Sequence, residues 1–480
     1  MKLYNTLTRQ EEEVKPSADG EIKVYSCGPT VYSRQHIGNY RAYINWDIFH
    51  RSLLYLGLKV KRVVNITDVG HLTSDDDWGA DKMEKGAKLA GKSPNEIADH
   101  FIRTYLEDLS ALNVLAPDAS KVDPGMDLAK LSEHGWTRAT EYIDTKIELN
   151  KMIESNGYTY ETDQALYFDV SKYPDYTKLS GQKLSENIVG ARDEVNQDPQ
   201  KRNPADFVIW MKRTGPYANH LLHWDSPWGD GFPGWHLECS AMGWKELGES
   251  ISVHTGGIEH IGTHHTNEIA QNFGAHQKEI VQMWLHNEHL LTIEGDKLAK
   301  SKGNAPTLPE LLEHGFSPMD FRYLTASINY RMPVKFSLEA LEGAKNARMN
   351  LIQRLQALSV ESSGGGEVIM QFKDRFTAAL GENLNMSEAF AVLSEVVKSQ
   401  EDPQDVIATV LDFDRVLGLD LESSIRVEIP EEVRDLLAER EEARSAKDFG
   451  RADKLRVAIE ELGYMVSDTA QGQKVSRRAA

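Results

Sequence analysis

Four side chains that can ligate a metal ion stand out by their type and spacing. Cys27 and Cys239 are the only cysteines among the 480 residues, and a chain without an export signal gives them no reason to form a disulfide. His264 and Glu268 are four residues apart in a segment predicted to be helical, so they share one helical face. Two thiolates, one imidazole and one carboxylate together would make a zinc site.

Each of these residues also has a purely structural interpretation. Cys239 fits a small core residue, His264 a polar helix start and Glu268 a solvated helix face. Spacing does not fix the ligand set either, because other side chains near in sequence compete: His236, Glu238, His254, His260 and His265. The four residues considered together favour a metal, and the choice of ligands stays open at this point.

Two further segments carry side chains suited to binding phosphate. His36 lies in a short passage from a predicted strand to a predicted helix, and helix N-termini attract phosphate groups. The loop 294–304 contains three clustered lysines, Lys297, Lys300 and Lys302. Such a loop can fold over a triphosphate and neutralise charge that develops on the pyrophosphate. A solvated basic loop is the alternative interpretation.

These residues need a scaffold that brings distant segments together, and the hydrophobic pattern predicts an α/β fold with a parallel sheet. Cys27 and His36 would then lie at the carboxyl ends of parallel strands, where open α/β sheets bind ligands. The main sheet is expected to resume at 207–210 after a less regular insertion. The predicted elements are a strand ending at 26, strands over 59–66, 207–210 and 251–254, and helices over 41–56, 94–112, 138–156 and 264–273.

Composition and charge limit the partners and the location. The formal net charge is −20, so an RNA partner must be bound by local basic patches. No run of 18 apolar residues occurs and the N-terminus is polar and acidic, so neither a membrane segment nor a signal peptide is expected. The expected location is the cytoplasm.

The basic end of the chain, with Lys474, Arg477 and Arg478, is either an RNA contact or a solvated disordered tail.

Several blocks of the sequence resemble the cysteinyl-tRNA synthetase family of class I aminoacyl-tRNA synthetases. HIGN at 36–39 is similar to the HIGH signature of that class, and KLAKS at 297–301 is similar to its KMSKS loop. The blocks that resemble the cysteinyl family itself are CGPTVY at 27–32, NITD at 65–68, PGWHLECSAM at 233–242, HHTNE at 264–268 and KDFGRADKLR at 447–456. They span most of the chain, which is identified as a member of this family.

The resemblance implies a Rossmann-like, parallel-sheet, nucleotide-binding catalytic domain with an insertion, followed by a C-terminal α-helical bundle and a small anticodon-binding domain. The expected boundaries are 1–115 for the first half of the catalytic domain, 116–205 for the connective insertion, 206–290 for the second half, 291–340 for the KMSKS-like loop and stem-contact region, 341–425 for the helical bundle and 426–480 for the anticodon-binding region.

The implied activity is that of a cysteine–tRNA ligase, a monomer whose partners are L-cysteine, ATP with Mg²⁺ and cysteine tRNA. One zinc ion per chain would select the cysteine thiolate, with the ligands falling on Cys27, Cys239, His264 and Glu268. Residues around the amino acid would be Gly28, Thr67, Trp235 and Glu259. ATP contacts would be His36, Gly38, Asn39, Lys297, Lys300 and Ser301, among which His36, Lys297 and Lys300 are the expected catalytic residues.

Three positions depart from the family pattern. Asn39 stands where HIGH has its second histidine, Ala299 replaces the serine within KMSKS, and Glu259 occupies the place of an aspartate that binds the substrate ammonium. The sequence leaves two other functions open. One is a tRNA-independent ligase that joins cysteine to an amino-sugar inositol, and the other is a non-catalytic, zinc-containing RNA-binding paralogue.

Overall fold

The structure is a computed structural model. It describes residues 1–69, 92–182, 198–298, 303–360, 366–425, 430–469 and 472–477. The chain divides into two compact units, Met1–Ala344 with Thr377–Ala389, and Lys345–Phe376 with Phe390–Ala480. None of the described helices has the length and apolar character needed to cross a membrane.

Five parallel strands form the main sheet of the first unit. Their spatial order is Val281–Asn287, Ile251–Gly257, Ile22–Ser26, Val60–Ile66 and Trp136–Arg138. The chain extends the sheet in one direction from Ile22–Ser26 to Val60–Ile66 and later in the other direction with Ile251–Gly257. Such a reversal opens a crevice for ligands at the carboxyl ends of the strands. The predicted α/β class with a parallel sheet is confirmed.

A second sheet of four antiparallel strands contains Thr159–Glu161, Ala165–Phe168, Phe207–Lys212 and Gly231–Pro233, in that order. The prediction that the main sheet resumes at 207–210 is therefore wrong. A short apolar run indicates a buried strand but does not reveal which sheet it joins. Trp136–Arg138, which lies within the stretch predicted as an insertion, pairs instead with Val60–Ile66 in the main sheet.

The first unit also contains two pairs of short strands, Lys2–Asn5 with Gln10–Glu13 and Leu290–Leu291 with Val334–Lys335. The α-helices along the described chain are Ile37–Tyr55, Pro94–Ala111, Ile143–Ser155, Trp235–Leu247, His264–His276, Leu308–Glu313, Pro318–Ala326, Leu338–Val360, Met370–Gly381, Met386–Lys398, Pro403–Leu417, Leu421–Ile425, Glu431–Ser445 and Phe449–Glu461.

The helix Ile37–Tyr55 is held in place by a buried group of charges. Asp47 accepts hydrogen bonds from Arg51 Nε at 2.8 Å and from Arg322 Nη2 at 2.6 Å. Arg322 also donates to the carbonyl of Leu112 at 2.9 Å, and the side chains of Asp47 and Arg322 are fully buried. The helix that begins beside His36 is thus fixed to the helix Pro318–Ala326.

The second unit ends in two helices and an antiparallel hairpin. Val433, Leu437, Ile459 and two hairpin residues form its small apolar core. The hairpin pairs Tyr464–Thr469 with Gly472–Arg477, so Lys474 and Arg477 belong to a strand and the disordered-tail interpretation is wrong for them. A short polar strand has little of the apolar alternation by which strands are predicted. Arg478 lies outside the described residues.

Candidate functional site

The carboxyl ends of the central strands position the first predicted metal ligand. Cys27 follows the strand Ile22–Ser26, and its backbone N–H donates to the Thr255 carbonyl at 3.0 Å. The next residue, Gly28, donates its N–H to Asn65 Oδ1 at 2.7 Å. A Cβ on Gly28 would overlap the Asn65 carbonyl oxygen and lie 2.9 Å from Val64 Cγ1, so only glycine fits here.

Four donor atoms converge beside this strand end. Those of Cys27, Cys239, His264 and Glu268 all lie within 4.8 Å of one another. His264 Nε2 is 3.4 Å from Cys239 Sγ and 3.0 Å from Glu268 Oε1. Cys239 comes from the helix Trp235–Leu247, whereas His264 and Glu268 share one face of their helix. The residues expected from the sequence come together, and their role as ligands stays a prediction.

A second set of donors shares two members with the first. Cys27, His254, His265 and Glu268 also have donor atoms within 4.8 Å of one another. His254 Nε2 lies 2.9 Å from Glu268 Oε2, and His265 Nε2 lies 3.3 Å from Cys27 Sγ. Distances alone leave both sets open. The first set contains two sulfur donors, which favour zinc.

Burial and neighbouring charges shift the pKa values within the cluster. Burial raises the pKa of Cys27, whereas the hydrogen bond from Cys27 lowers the pKa of Cys239 to about 6. Burial opposes a charged His264, but Cys239 and Glu268 raise its pKa to about 10. Burial also opposes ionisation of Glu268, whose pKa the charges of His254 and His264 lower to about 2. The cluster therefore contains anionic donors and a proton on His264. A bound metal ion would displace that proton.

The carboxylate of Glu268 fits a metal ion. Glu268 Oε1 is buried, and within the described ranges no donor is aligned to hydrogen bond with it. The other oxygen is occupied by His254 at 2.9 Å. Although His264 Nε2 lies 3.0 Å from Oε1, it is not aligned for a hydrogen bond, so burial of this oxygen is unfavourable and coordination of a cation would offset that loss.

A buried polar network extends from the cluster to the residues predicted around the amino acid. Thr67, at the end of the strand Val60–Ile66, donates its hydroxyl to Glu238 Oε2 at 3.2 Å and accepts from Asn65 Nδ2 at 3.0 Å. Glu238 Oε1 lies 3.6 Å from Lys146 Nζ, and both side chains are fully buried. Burial raises the pKa of Glu238 to about 7 although Lys146 opposes this. Sequence reasoning missed Lys146, because a lysine on a predicted helix normally indicates a solvated face.

Trp235 and His236 surround the imidazole of His264. The ring centroid of Trp235 lies 4.4 Å from that of His264. His236 Nδ1 lies 2.9 Å from His264 Nδ1, which leaves the Nε2 atom of His264 turned toward Cys239 and Glu268. Such contacts to the second ring nitrogen commonly orient a metal-binding histidine.

The HIGN turn forms the N-terminus of the helix Ile37–Tyr55. His36 is the N-cap, and its Nδ1 accepts the backbone N–H of Gly38 at 3.1 Å. Asn39 Oδ1 accepts the backbone N–H of His36 at 3.2 Å, which completes a capping box. A Cβ on Gly38 would lie 2.9 Å from the His36 ring. Glycine at position 38 therefore leaves room for the imidazole ring of His36.

Glu259 and Lys297 lie next to each other. Lys297 Nζ is 3.5 Å from Glu259 Oε1, and His289 Nδ1 is 3.6 Å from Glu259 Oε2. The Glu259 side chain is exposed; desolvation by its neighbours opposes its ionisation, but the charges of His260 and Lys297 lower its pKa to about 2. The predicted ATP residues Lys300 and Ser301, and with them Ala299 and Lys302, lie outside the described residues.

Comparisons with family models match two parts of the chain. Residues 13–346 match the class I (C) tRNA synthetase catalytic domain, and residues 426–475 match the cysteinyl-tRNA ligase anticodon binding domain.

Curated relatives match the chain over nearly its whole length. A cysteine–tRNA ligase of Treponema denticola is 40% identical over 502 residues, covering 98% of each chain. The cysteine–tRNA ligase 1 of Burkholderia lata is 40% identical over 478 residues, covering 99% of this chain and 96% of the relative.

Solved structures show a similar fold at low sequence identity. A methionyl-tRNA synthetase of Mycobacterium tuberculosis bound by methionyl-adenylate has a TM-score of 0.52 at 14% identity, covering 86% of this chain and 92% of that chain. The agnB2 LeuRS of Agrobacterium radiobacter K84, in a ternary complex with tRNA and LeuAMS, has a TM-score of 0.55 at 11% identity, covering 87% and 86%.

Proposed function

The chain belongs to the cysteine–tRNA ligases of the class I aminoacyl-tRNA synthetases, and we propose that the candidate site carries out the amino-acid selection and activation of this family. The reaction activates L-cysteine with ATP to cysteinyl-adenylate and transfers the cysteinyl group to the 3′ end of cysteine tRNA. The substrates are therefore L-cysteine, ATP and tRNA.

We propose that Cys27, Cys239, His264 and Glu268 hold one zinc ion per chain. Their donor atoms lie within 4.8 Å of one another, and Glu268 Oε1 is buried with no aligned donor in the described part of the chain. Bound there, zinc supplies a soft cation that favours the thiolate of cysteine over the hydroxyl of serine. Shape alone separates such similar side chains by only about 10². A pocket with this donor set needs no separate editing step.

Gly28, Thr67, Trp235 and Glu259 are proposed to hold the cysteine substrate. Gly28 and Thr67 are joined through the Asn65 side chain. The Glu259 side chain is exposed, and the charges of His260 and Lys297 hold its pKa at about 2 against desolvation by its neighbours, so it is ionised at neutral pH and can pair with the substrate ammonium. Its longer side chain replaces the family's aspartate in this role.

ATP is proposed to bind His36, Gly38, Asn39, Lys297, Lys300 and Ser301 together with Mg²⁺. Because His36 Nδ1 accepts the N–H of Gly38, the ring proton is on Nε2, which can donate to a phosphate oxygen. Asn39 supports this arrangement through its bond to the His36 backbone. The cysteine carboxylate is already a nucleophile, so the protein mainly orients the two substrates and stabilises charge on the phosphates.

The convergence of the four donors carries this proposal, and metal analysis of purified variants tests it. We expect about one zinc per wild-type chain, and His264→Asn should lose most of it because a ligand is removed. His254→Asn is the matched control: His254 is a member of the second donor set alone, and asparagine can still donate a hydrogen bond to Glu268, so this variant should keep the zinc. Loss of zinc in His254→Asn with retention in His264→Asn would assign the ion to the second set.

Aminoacylation distinguishes the remaining possibilities. The zinc-replete enzyme should charge cysteine tRNA with cysteine and not with serine. ATP–pyrophosphate exchange without tRNA charging would indicate the amino-sugar ligase, and absence of exchange would indicate a non-catalytic paralogue. The monomeric state and cytoplasmic location are also proposed from the family resemblance. Light scattering of the purified protein and cell fractionation test them.

A further inference from the structure

Three hydrogen bonds, all donated in the same direction, connect Gly28, next to Cys27, with Glu238, next to Cys239. The backbone N–H of Gly28 can only donate, and it bonds to Asn65 Oδ1 at 2.7 Å. This fixes the Asn65 amide with Nδ2 toward Thr67 Oγ1 at 3.0 Å. Because Asn65 donates to the Thr67 hydroxyl, the hydroxyl proton is available for Glu238 Oε2 at 3.2 Å.

Lys146 stabilises the far end of this series. Its Nζ lies 3.6 Å from Glu238 Oε1 and donates to the Ala139 carbonyl at 2.8 Å. An ammonium group has no lone pair to offer, and its ion pair with Glu238 favours the carboxylate form, which accepts the hydrogen bond from Thr67. A fully buried ion pair is often no better for stability than apolar side chains of similar volume. A contribution to function therefore explains the pair better than a contribution to stability.

We propose that Glu238 and Lys146 are positioning residues that fix the direction of the Thr67 hydroxyl, so that its remaining lone pair faces the ammonium group of the cysteine substrate. A hydroxyl has one proton and two lone pairs. Glu238 takes the proton and Asn65 occupies one lone pair, which leaves one acceptor site. The ammonium group is the donor of L-cysteine that matches it. This inference rests on the proposed role of Thr67 in substrate binding.

Two thiol analogues separate the ammonium from the rest of the substrate. Cysteamine keeps the thiol and the ammonium, whereas 3-mercaptopropionate keeps the thiol and the carboxylate. Calorimetric titration of the zinc-replete protein gives their Kd values for the wild type and for Glu238→Gln. In the variant, Lys146 attracts the amide oxygen of the glutamine, so the amide NH₂ donates to the Thr67 hydroxyl. The proton of that hydroxyl must then point toward the ammonium group of the ligand.

We expect Glu238→Gln to raise the Kd of cysteamine by about tenfold or more, because a hydrogen bond to a charged group is lost. The Kd of 3-mercaptopropionate should change by less than about twofold, and the zinc content should stay unchanged. Ser240→Ala is the matched control, since it removes a different buried hydrogen bond of the same helix, 2.8 Å to Gln271, and should leave both Kd values unchanged.

Equal weakening of both analogues, or weakening of neither, would overturn the proposal. If Glu238→Gln does not fold, Thr67→Val provides a second test with the same selective loss expected. Where both variants fold, adding Glu238→Gln to Thr67→Val should have no further effect on the selectivity, because the two act through one hydroxyl. Binding is measured without catalysis, so a wild type that lacks cysteine-dependent ATP–pyrophosphate exchange would refute the proposed function separately.

Discussion

Substitution of Gly28 by alanine is expected to damage stability and cysteine binding together. A Cβ at this position would overlap the Asn65 carbonyl oxygen and lie 2.9 Å from both the Asn65 carbonyl carbon and Val64 Cγ1. Carbon atoms in contact prefer about 3.5–4.0 Å, so the two carbon contacts require the segments to separate by roughly 1 Å, and the overlap with the oxygen requires more. Asn65 and Val64 both belong to the neighbouring strand Val60–Ile66, and a strand backbone cannot move aside as the end of a flexible side chain would.

That separation breaks the hydrogen bonds that join the two strand ends. They are Gly28 N–H to Asn65 Oδ1 at 2.7 Å, Thr67 N–H to the Pro29 carbonyl at 2.9 Å, and Val31 N–H to the Thr67 carbonyl at 3.1 Å. At about 1 kcal/mol for each bond, Gly28→Ala should lower the free energy of unfolding by about 3 kcal/mol. Displacement of Asn65 and Thr67 should also raise the KM for cysteine at least about tenfold, since 1.4 kcal/mol of lost binding is a factor of ten.

Urea titration followed by tryptophan fluorescence measures the loss of stability, and ATP–pyrophosphate exchange at varied cysteine measures KM. Gly343→Ala is a matched control, because a Cβ there meets no described atom within 4 Å outside the backbone of its own helix. Gly343 lies inside the helix Leu338–Val360, so alanine should stabilise it by about 0.5–1 kcal/mol. A Gly28→Ala protein with unchanged urea midpoint and unchanged KM would refute this reasoning.

Three further predictions concern other parts of the first unit. Gly38→Ala should lower kcat of ATP–pyrophosphate exchange with little change in the KM for cysteine, because its Cβ would lie 2.9 Å from the His36 ring; a change in KM alone would contradict it. Arg322→Met should lower the free energy of unfolding in urea by about 3–5 kcal/mol, because Asp47 loses a buried partner; an unchanged midpoint would contradict it. Glu268→Gln should purify with much less zinc by mass spectrometry, and full occupancy would exclude it as a ligand.

Local signals in the sequence predict several elements well. The helix predicted over 94–112 is observed as Pro94–Ala111, because Ser93 caps it and exchanges hydrogen bonds with Glu96. The strand predicted over 59–66 is observed as Val60–Ile66. Its buried residues form a continuous run, which is typical of a parallel strand covered on both faces. In both cases the deciding interactions lie within a few residues of one another.

Pairing between distant segments is what the sequence could not reveal. Phe207–Lys212 is apolar enough for either sheet, and only its pairing with Ala165–Phe168 and Gly231–Pro233 assigns it to the antiparallel one. The candidate site shows the same limit. The sequence predicts four metal donors and leaves several competing side chains. In the structure two of these competitors, His254 and His265, have donor atoms within 4.8 Å of those of Cys27 and Glu268. Lys146 could not be foreseen at all, since its burial depends on Glu238 from a helix nearly a hundred residues away.

The two cysteines of the chain are both members of the proposed zinc set, and this gives the protein an internal reporter. A thiol reagent added to the native protein can react nowhere else, so its rate of reaction would follow the exposure of this one centre. Cys239 is buried and Cys27 is partly accessible, which predicts stepwise labelling that begins at Cys27. Oxidation would likewise affect the amino-acid pocket before any other part of the enzyme, because thiols are among the first side chains to be oxidised.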